Sequence, residues 1–403
     1  MKRLKAISII LTISGIAIIS SCQSNAARRE ESKRKAAADS ARFTTGLSAA
    51  EKEAILKSPR TKQMQQELEA FYNGKLLRTG FNGAIIVARK GVIIFEKYHG
   101  YENSRTKTPV MDSSSFQLAS VTKTFTGAAV MWLVQNEKLS LEDSLQKFFP
   151  EFPYKGINVR MLLNHRSGLP NYLYFCDSLW KEEANFITNG EVIKLMEAHK
   201  PAMQHLPGTH FQYCNTNYLL LASIIEKVSG QKYADFMQQT IFGPLHMTST
   251  FVYDPSSAVR VHQTQSHKYN GQFEPDTYFD GVMGDKGIYS SAQDMLKWDQ
   301  ALYSGQFLNA ATLKAAYTPY SNEKPGVRNY GLGWRLMVYP DSTKNIIYHN
   351  GWWHGNNTVF YRFIQDSTTL VILGNKYNRG IYQAVKPIRD IIGHGDGEEA
   401  GEE

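Results

Sequence analysis

Runs of β-branched residues at the two ends of this chain frame a middle whose apolar residues recur at helical spacing. Residues 83–89 (GAIIVAR) and 92–98 (VIIFEKY) are separated by Lys90-Gly91, the pattern of a hairpin. Strand patterns return at 333–338, 345–348, 358–364 and 368–373, and a last helix is predicted over 382–392. In the middle, Val121, Phe125, Ala128, Ala129 and Trp132 fall on one helical face. Leu219, Leu220, Ile224, Ile225 and Val228 do the same, with Gly230 as the stop. The predicted fold class is α/β (α+β): one antiparallel sheet built from both chain ends and flanked by helices, with a mainly helical inserted subdomain. The expected organisation is a domain over 63–393, with sheet parts 63–118 and 287–393 around a helical insertion 119–286.

The termini read differently. Lys2, Arg3 and Lys5 precede an apolar run over 6–19, too short to span a bilayer and proportioned like the core of an export signal. The run ends Ile19-Ser20-Ser21-Cys22, which resembles a bacterial lipobox, so residues 1–21 are expected to be removed and Cys22 lipidated. Residues 22–62 are expected to form a tether, charged over 28–35, and 394–403 a Gly- and Glu-rich disordered tail. A cell-envelope protein, membrane-anchored by lipid and facing the periplasm or cell surface, is the implied localisation. The composition supports a large folded core, with 42% hydrophobic and 20% charged residues over 403 positions. Three cysteines exclude a disulfide scaffold, and a net charge of +8 at this length is no nucleic-acid signature. Cys176 and Cys214 are left as either a pair or two buried thiols.

Three short motifs carry candidate chemistry. Ser120-Val121-Thr122-Lys123 sits where an extended stretch gives way to a helix. A spacing of three puts both side chains on one helical face, and a hydroxyl at a helix start lies near unpaired backbone donors. A neighbouring amine can take the hydroxyl proton, which makes a Ser–Lys nucleophile. The spacing alone is common here, shared by Ser144/Lys147 and Ser229/Lys232 among others; the strand-to-helix context separates Ser120. Tyr213-Cys214-Asn215 offers a phenol as proton shuttle and an amide that can hold a substrate amide. Tyr348-His349-Asn350-Gly351-Trp352-Trp353 ends an apolar strand, with a glycine that permits close backbone approach.

In order, context and separation the three motifs resemble those of the serine β-lactamase/penicillin-binding-protein superfamily, in its class C β-lactamase-like branch. Flanking stretches agree, among them 116–119, 161–170, 287–295 and 330–334. The resemblance implies Ser120 as nucleophile, Lys123 as its activator and Tyr213 as base or relay, with the first proton acceptor of the pair left open. It implies Asn215, His349, Gly351 and Trp352 as substrate-binding positions. An oxyanion hole from the Ser120 and Trp352 amides is implied, with no metal and no cofactor. Where class C β-lactamases resemble Lys-[Ser/Thr]-Gly, this chain has His349-Asn350-Gly351. A neutral imidazole attracts a carboxylate less than an ammonium does, so DD-peptidase or esterase chemistry is expected ahead of β-lactamase activity proper. The expected partners are a small-molecule or peptide substrate and the membrane, not nucleic acid, and the expected state is a monomer. A non-catalytic ligand-binding or sensor lipoprotein is the rival from another class.

Overall fold

The computed structural model describes residues 46–182, 185–305, 307–340 and 344–395. Residues 1–45, which contain Cys22, the export signal and most of the tether, lie outside the described residues. In chain order the strands are β1 Gly83–Arg89, β2 Val92–His99, β3 Tyr101–Asn103, β4 Thr108–Pro109, β5 Phe116–Gln117 and β6 Phe251–Val252. They continue with β7 Ile288–Ser290, β8 Arg328–Tyr330, β9 Arg335–Met337, β10 Ile346–Trp353, β11 Asn356–Phe363 and β12 Thr368–Gly374. Seven of them form one sheet in the order β2-β1-β12-β11-β10-β9-β8, with every pairing antiparallel. Strands from both chain ends meet where β1 pairs β12 from Gly83↔Gly374 to Arg89↔Thr368. The mixed fold with a large antiparallel sheet, expected from the strand runs, is therefore present.

The sheet is covered on both faces, and the alternation of side chains divides its residues between two cores. Ile85 and Val87 of β1 and Leu370 and Ile372 of β12 pack with Met64, Leu68, Ile388 and Ile392 of the terminal helices. Ala84, Ile86 and Ala88, with Val371 and Leu373, face the larger core that runs into the helical region. This double burial explains why the strands read as unbroken apolar runs rather than as alternating patterns.

The helices Ala49–Lys57 and Pro59–Phe71 start inside the stretch assigned to the tether. Ser48 and Glu51 form a capping box, and burial of Met64 and Leu68 against the sheet holds the second helix in place. At the other end, His394 of the expected disordered tail stacks on Phe363 with centroids 4.4 Å apart, while 396–403 lie outside the described residues. No helix among the described residues is long and apolar enough to cross a membrane. Between Ala119 and Lys286 the long elements are helices, including Thr122–Gln135, Asn189–His199 and Asn215–Ser229, the last stopped by Gly230 at φ 70°.

One buried ion pair joins the insertion-side core to the sheet. Arg362 of β11 donates from Nε to Asp299 Oδ1 at 2.6 Å, and Thr369 donates to the other carboxylate oxygen at 2.6 Å. Neither charge reaches solvent, so removing one strands the other. Asp299→Ala should lower unfolding free energy by about 3–5 kcal/mol, read from urea titration.

Candidate active site

The Ser120 position is built by a strained turn. Ala119 is fully buried at φ 47°, a left-handed conformation rare for a residue with a side chain, and Ser120 follows it in a 3₁₀ turn, Ala119–Val121. The turn is fixed from two sides. On one, Leu118 N–H donates to Ile288 O at 2.8 Å beside the small sheet β5-β7-β6. On the other, Thr358 Oγ1 donates to Leu118 O at 2.8 Å from β11. The Thr122–Gln135 helix begins directly afterwards and carries Lys123 one turn on.

Lys123 has no exposed surface, and its Nζ donates to Asp285 O at 2.8 Å and lies 3.1 Å from Ser120 Oγ. The same Nζ is 5.1 Å from the centroid of the Tyr213 ring and 5.6 Å from that of Tyr218. Tyr213 precedes the Asn215–Ser229 helix, and its buried hydroxyl has no hydrogen-bond partner among the described residues. The same holds for Asn215 Oδ1, at the first residue of that helix. The structure thus brings Ser120, Lys123 and Tyr213 together from two helix starts, and Asn215 stands next to them.

The third motif lies on β10. An added Cβ at Gly351 would sit 2.4 Å from Leu118 O and 2.9 Å from Ser120 N, so the strand backbone reaches the Ser120 amide only because this residue is glycine. Strand β9 pairs with Ile346, Ile347 and Tyr348 but no further, which leaves the edge of β10 from His349 to Trp353 unpaired by a protein strand. His349 is fully buried, and both its ring nitrogens are engaged. Nδ1 lies 2.7 Å from Asn350 O, which can only accept, so Nδ1 carries the proton and Nε2 accepts from the Tyr330 hydroxyl at 3.1 Å. Burial first, then the Arg335 and Lys123 charges, hold this imidazole well below the usual histidine range. Trp352 differs: 62% of its surface is exposed, and its indole donates to His354 O at 2.9 Å. With Trp353, Phe279 and Tyr377 it walls an open cleft of about 450 Å³.

Several site residues were not singled out by motif. Arg335, directly after Gly333-Trp334, places its guanidinium carbon 5.2 Å from the Tyr213 ring centroid, and its Nε has no hydrogen-bond partner among the described residues. His165 stacks against Tyr213 at 4.4 Å, and burial followed by the Lys123 charge lowers its pKa as well. Asp285 contributes a main-chain carbonyl, a role that no residue type announces. Cys176 and Cys214 are both free and buried, so the pair left open is not made; burial raises their thiols to about 12 and about 11. Among the described residues no group of three or more His, Cys, Asp or Glu side chains is placed to hold a metal ion.

This fold and this hydroxyl–amine pair define the class of serine acyl-transfer hydrolases. The Beta-lactamase family model matches residues 78–389, and the chain belongs to that family. Penicillin-binding protein 4* of Bacillus subtilis (strain 168) is 34% identical over 327 residues, which are 76% of this chain and 72% of that protein. The solved penicillin binding protein from Bacillus halodurans superposes with a TM-score of 0.70 at 22% identity, over 81% of this chain and 98% of its own. D-amino acid amidase from Ochrobactrum anthropi SV3 superposes with a TM-score of 0.67 at 22% identity, over 83% and 99%. At these identities the two structural likenesses speak for the fold.

His165 and His349 give the protein a pH dependence of known sign. Both titrate near about 6.5 when unfolded and below that when folded. The unfolded chain therefore binds protons that the folded chain refuses, and stability falls as pH drops below the ordinary histidine range. Urea titrations between pH 7 and 5 should show a decline of up to about 2.7 kcal/mol per pH unit from this pair. His349→Gln should remove about half of that slope.

Proposed function

We propose that this chain is an exported, lipid-tethered hydrolase of the class C β-lactamase-like branch. It opens amide, peptide or ester bonds through an acyl-enzyme on Ser120, in the manner of a DD-peptidase or esterase. The observation that carries the reading is the 3.1 Å contact between Ser120 Oγ and a Lys123 Nζ with no exposed surface. In the first step Ser120 Oγ bonds to the substrate carbonyl carbon while its proton passes to the Lys123–Tyr213 pair. The Lys123 amine and the Arg335 guanidinium carbon lie 5.1 and 5.2 Å from the centroid of the Tyr213 ring. The tetrahedral oxygen is held by the amides of Ser120 and Trp352. The Tyr382 hydroxyl donates to Gly351 O at 2.6 Å, and across a trans peptide the Trp352 N–H points away from it. The C–N or C–O bond then breaks and the pair returns the proton to the leaving group. Water repeats the sequence and frees the acid.

Asn215 orients the substrate amide, and an extended substrate lies along the open edge of β10. With both ring nitrogens engaged, His349 acts by holding Tyr330 and the strand rather than by touching substrate. A neutral imidazole at this position, in place of an ammonium, favours peptides, amides and esters over β-lactams. The Bacillus subtilis relative, named for penicillin binding, supports acyl transfer to a serine in this family. Cys22 as the lipid-bearing residue places the domain at the cell envelope.

Mass spectrometry after treatment with a fluorophosphonate or a penicillin should show one adduct, on Ser120, and none in Ser120→Ala. That variant should lose on the order of 10⁴-fold or more in turnover. A nitrophenyl ester and a D-Ala-D-Ala peptide should be turned over faster than a chromogenic cephalosporin. A wild-type protein that forms no adduct with either reagent overturns the proposal.

A further inference from the structure

A second lysine is buried directly behind Lys123. Lys286 is 4% exposed, and its Nζ donates to the Tyr172 hydroxyl at 2.6 Å. That hydroxyl in turn donates to Asp285 Oδ2 at 3.0 Å. Asp285 Oδ1 has no hydrogen-bond partner among the described residues and lies 3.7 Å from Lys286 Nζ. The carbonyl of this same Asp285 receives Lys123 Nζ at 2.8 Å. Two lysines therefore meet one residue, one at its main chain and one at its side chain.

Resting on the function proposed above, the structure assigns Lys286 as a positioning residue for Lys123, acting through Tyr172 and Asp285. The positioning follows from burial. A carboxylate in the interior needs fixed partners, and the Tyr172 hydroxyl and the Lys286 ammonium hold it in one orientation, which fixes the carbonyl two bonds away from its Cα branch. Burial lowers the pKa of Lys286 itself, Asp285 and Asp280 act against that, and the Lys123 charge adds to it.

The groups that face each lysine complete the inventory. Lys286 meets Asp285, Tyr172, Asp280 and the Trp353 ring at 4.7 Å, while His354 pairs with Asp280 at 2.9 Å. Lys123 meets Ser120, Tyr213 and Tyr218, with the neutral imidazoles of His165 and His349 and the Arg335 cation beyond. Lys286 faces the Asp285 carboxylate, whereas Lys123 faces the carbonyl of the same residue. It also touches Trp353, whose indole donates to Asp280 Oδ1 at 2.7 Å, so the same residue ties the amine to the wall of the third motif.

The test measures acylation by the fluorophosphonate and turnover of the nitrophenyl ester across pH 5 to 10, in wild type, Lys286→Met, Lys286→Arg and Tyr172→Phe. Lys286→Met is expected to slow acylation about tenfold at neutral pH. KM for the ester should change less than about twofold, and Lys286→Arg should restore most of the rate. Tyr172→Phe, which keeps the lysine and removes only the hydroxyl, should move the rate in the same direction and keeps the test open if the methionine variant unfolds. A wild-type rate in Lys286→Met overturns this assignment alone, as does a slower rate that Lys286→Arg does not restore, which marks a packing role. A wild-type protein that does not acylate at Ser120 overturns the underlying function and this assignment with it.

Discussion

A lysine amine with no exposed surface is held between a serine hydroxyl and a main-chain carbonyl from a segment 162 residues further along the chain. Everything else in the site serves that placement. The Thr122–Gln135 helix supplies the one-turn spacing that lets Lys123 reach Ser120. The carbonyl of Asp285 arrives just before β7, the strand that also pairs with β5 on the path into the Ser120 turn. An amine in such a position cannot lean on solvent. Its partners must all come from the protein, which is why a loop, two helix starts and a strand converge on one buried amine.

The sheet provides the rigidity that this convergence needs. With both faces covered and every pairing antiparallel, β10 and β11 have no freedom to slide without moving alternate side chains into the wrong core. Gly351 exploits that rigidity, because a backbone can approach the Ser120 amide this closely only if it is held from behind. The left-handed Ala119 is the matching cost on the other side. Strain of this kind persists only where surrounding hydrogen bonds over-determine it, and here Leu118 is bonded through both its amide and its carbonyl.

Charge is distributed unevenly around the cleft. Lys123, Lys286 and Arg335 contribute cations, while the third motif contributes an imidazole kept neutral by burial and by two of those cations. The free edge of β10 runs between this cationic region and the aromatic wall at Trp352 and Trp353. The edge therefore has positive charge at one end and apolar surface at the other.

Much of the fold was legible in the chain. The hairpin at Gly83–Arg89 and Val92–His99 and the helix ended by Gly230 coincide with their patterns, because β-branched runs, a Lys-Gly turn and a glycine stop are local signals. The motif residues Ser120 and Lys123 were also legible, since one helical turn fixes their proximity whatever the remainder does. Other features were not. The extension of β10 to Trp353, the helix start at Ala49 and the packing of His394 on Phe363 depend on partners distant in sequence. So do the Asp285 carbonyl, the Arg335 guanidinium beside Tyr213 and the engaged nitrogens of His349. The sequence alone determined which residues carry reactive groups and which segments repeat with a period of two or of 3.6. Only the tertiary structure decided which of those groups share a dry space, because burial and long-range contact are properties of the packed chain and not of any window along it.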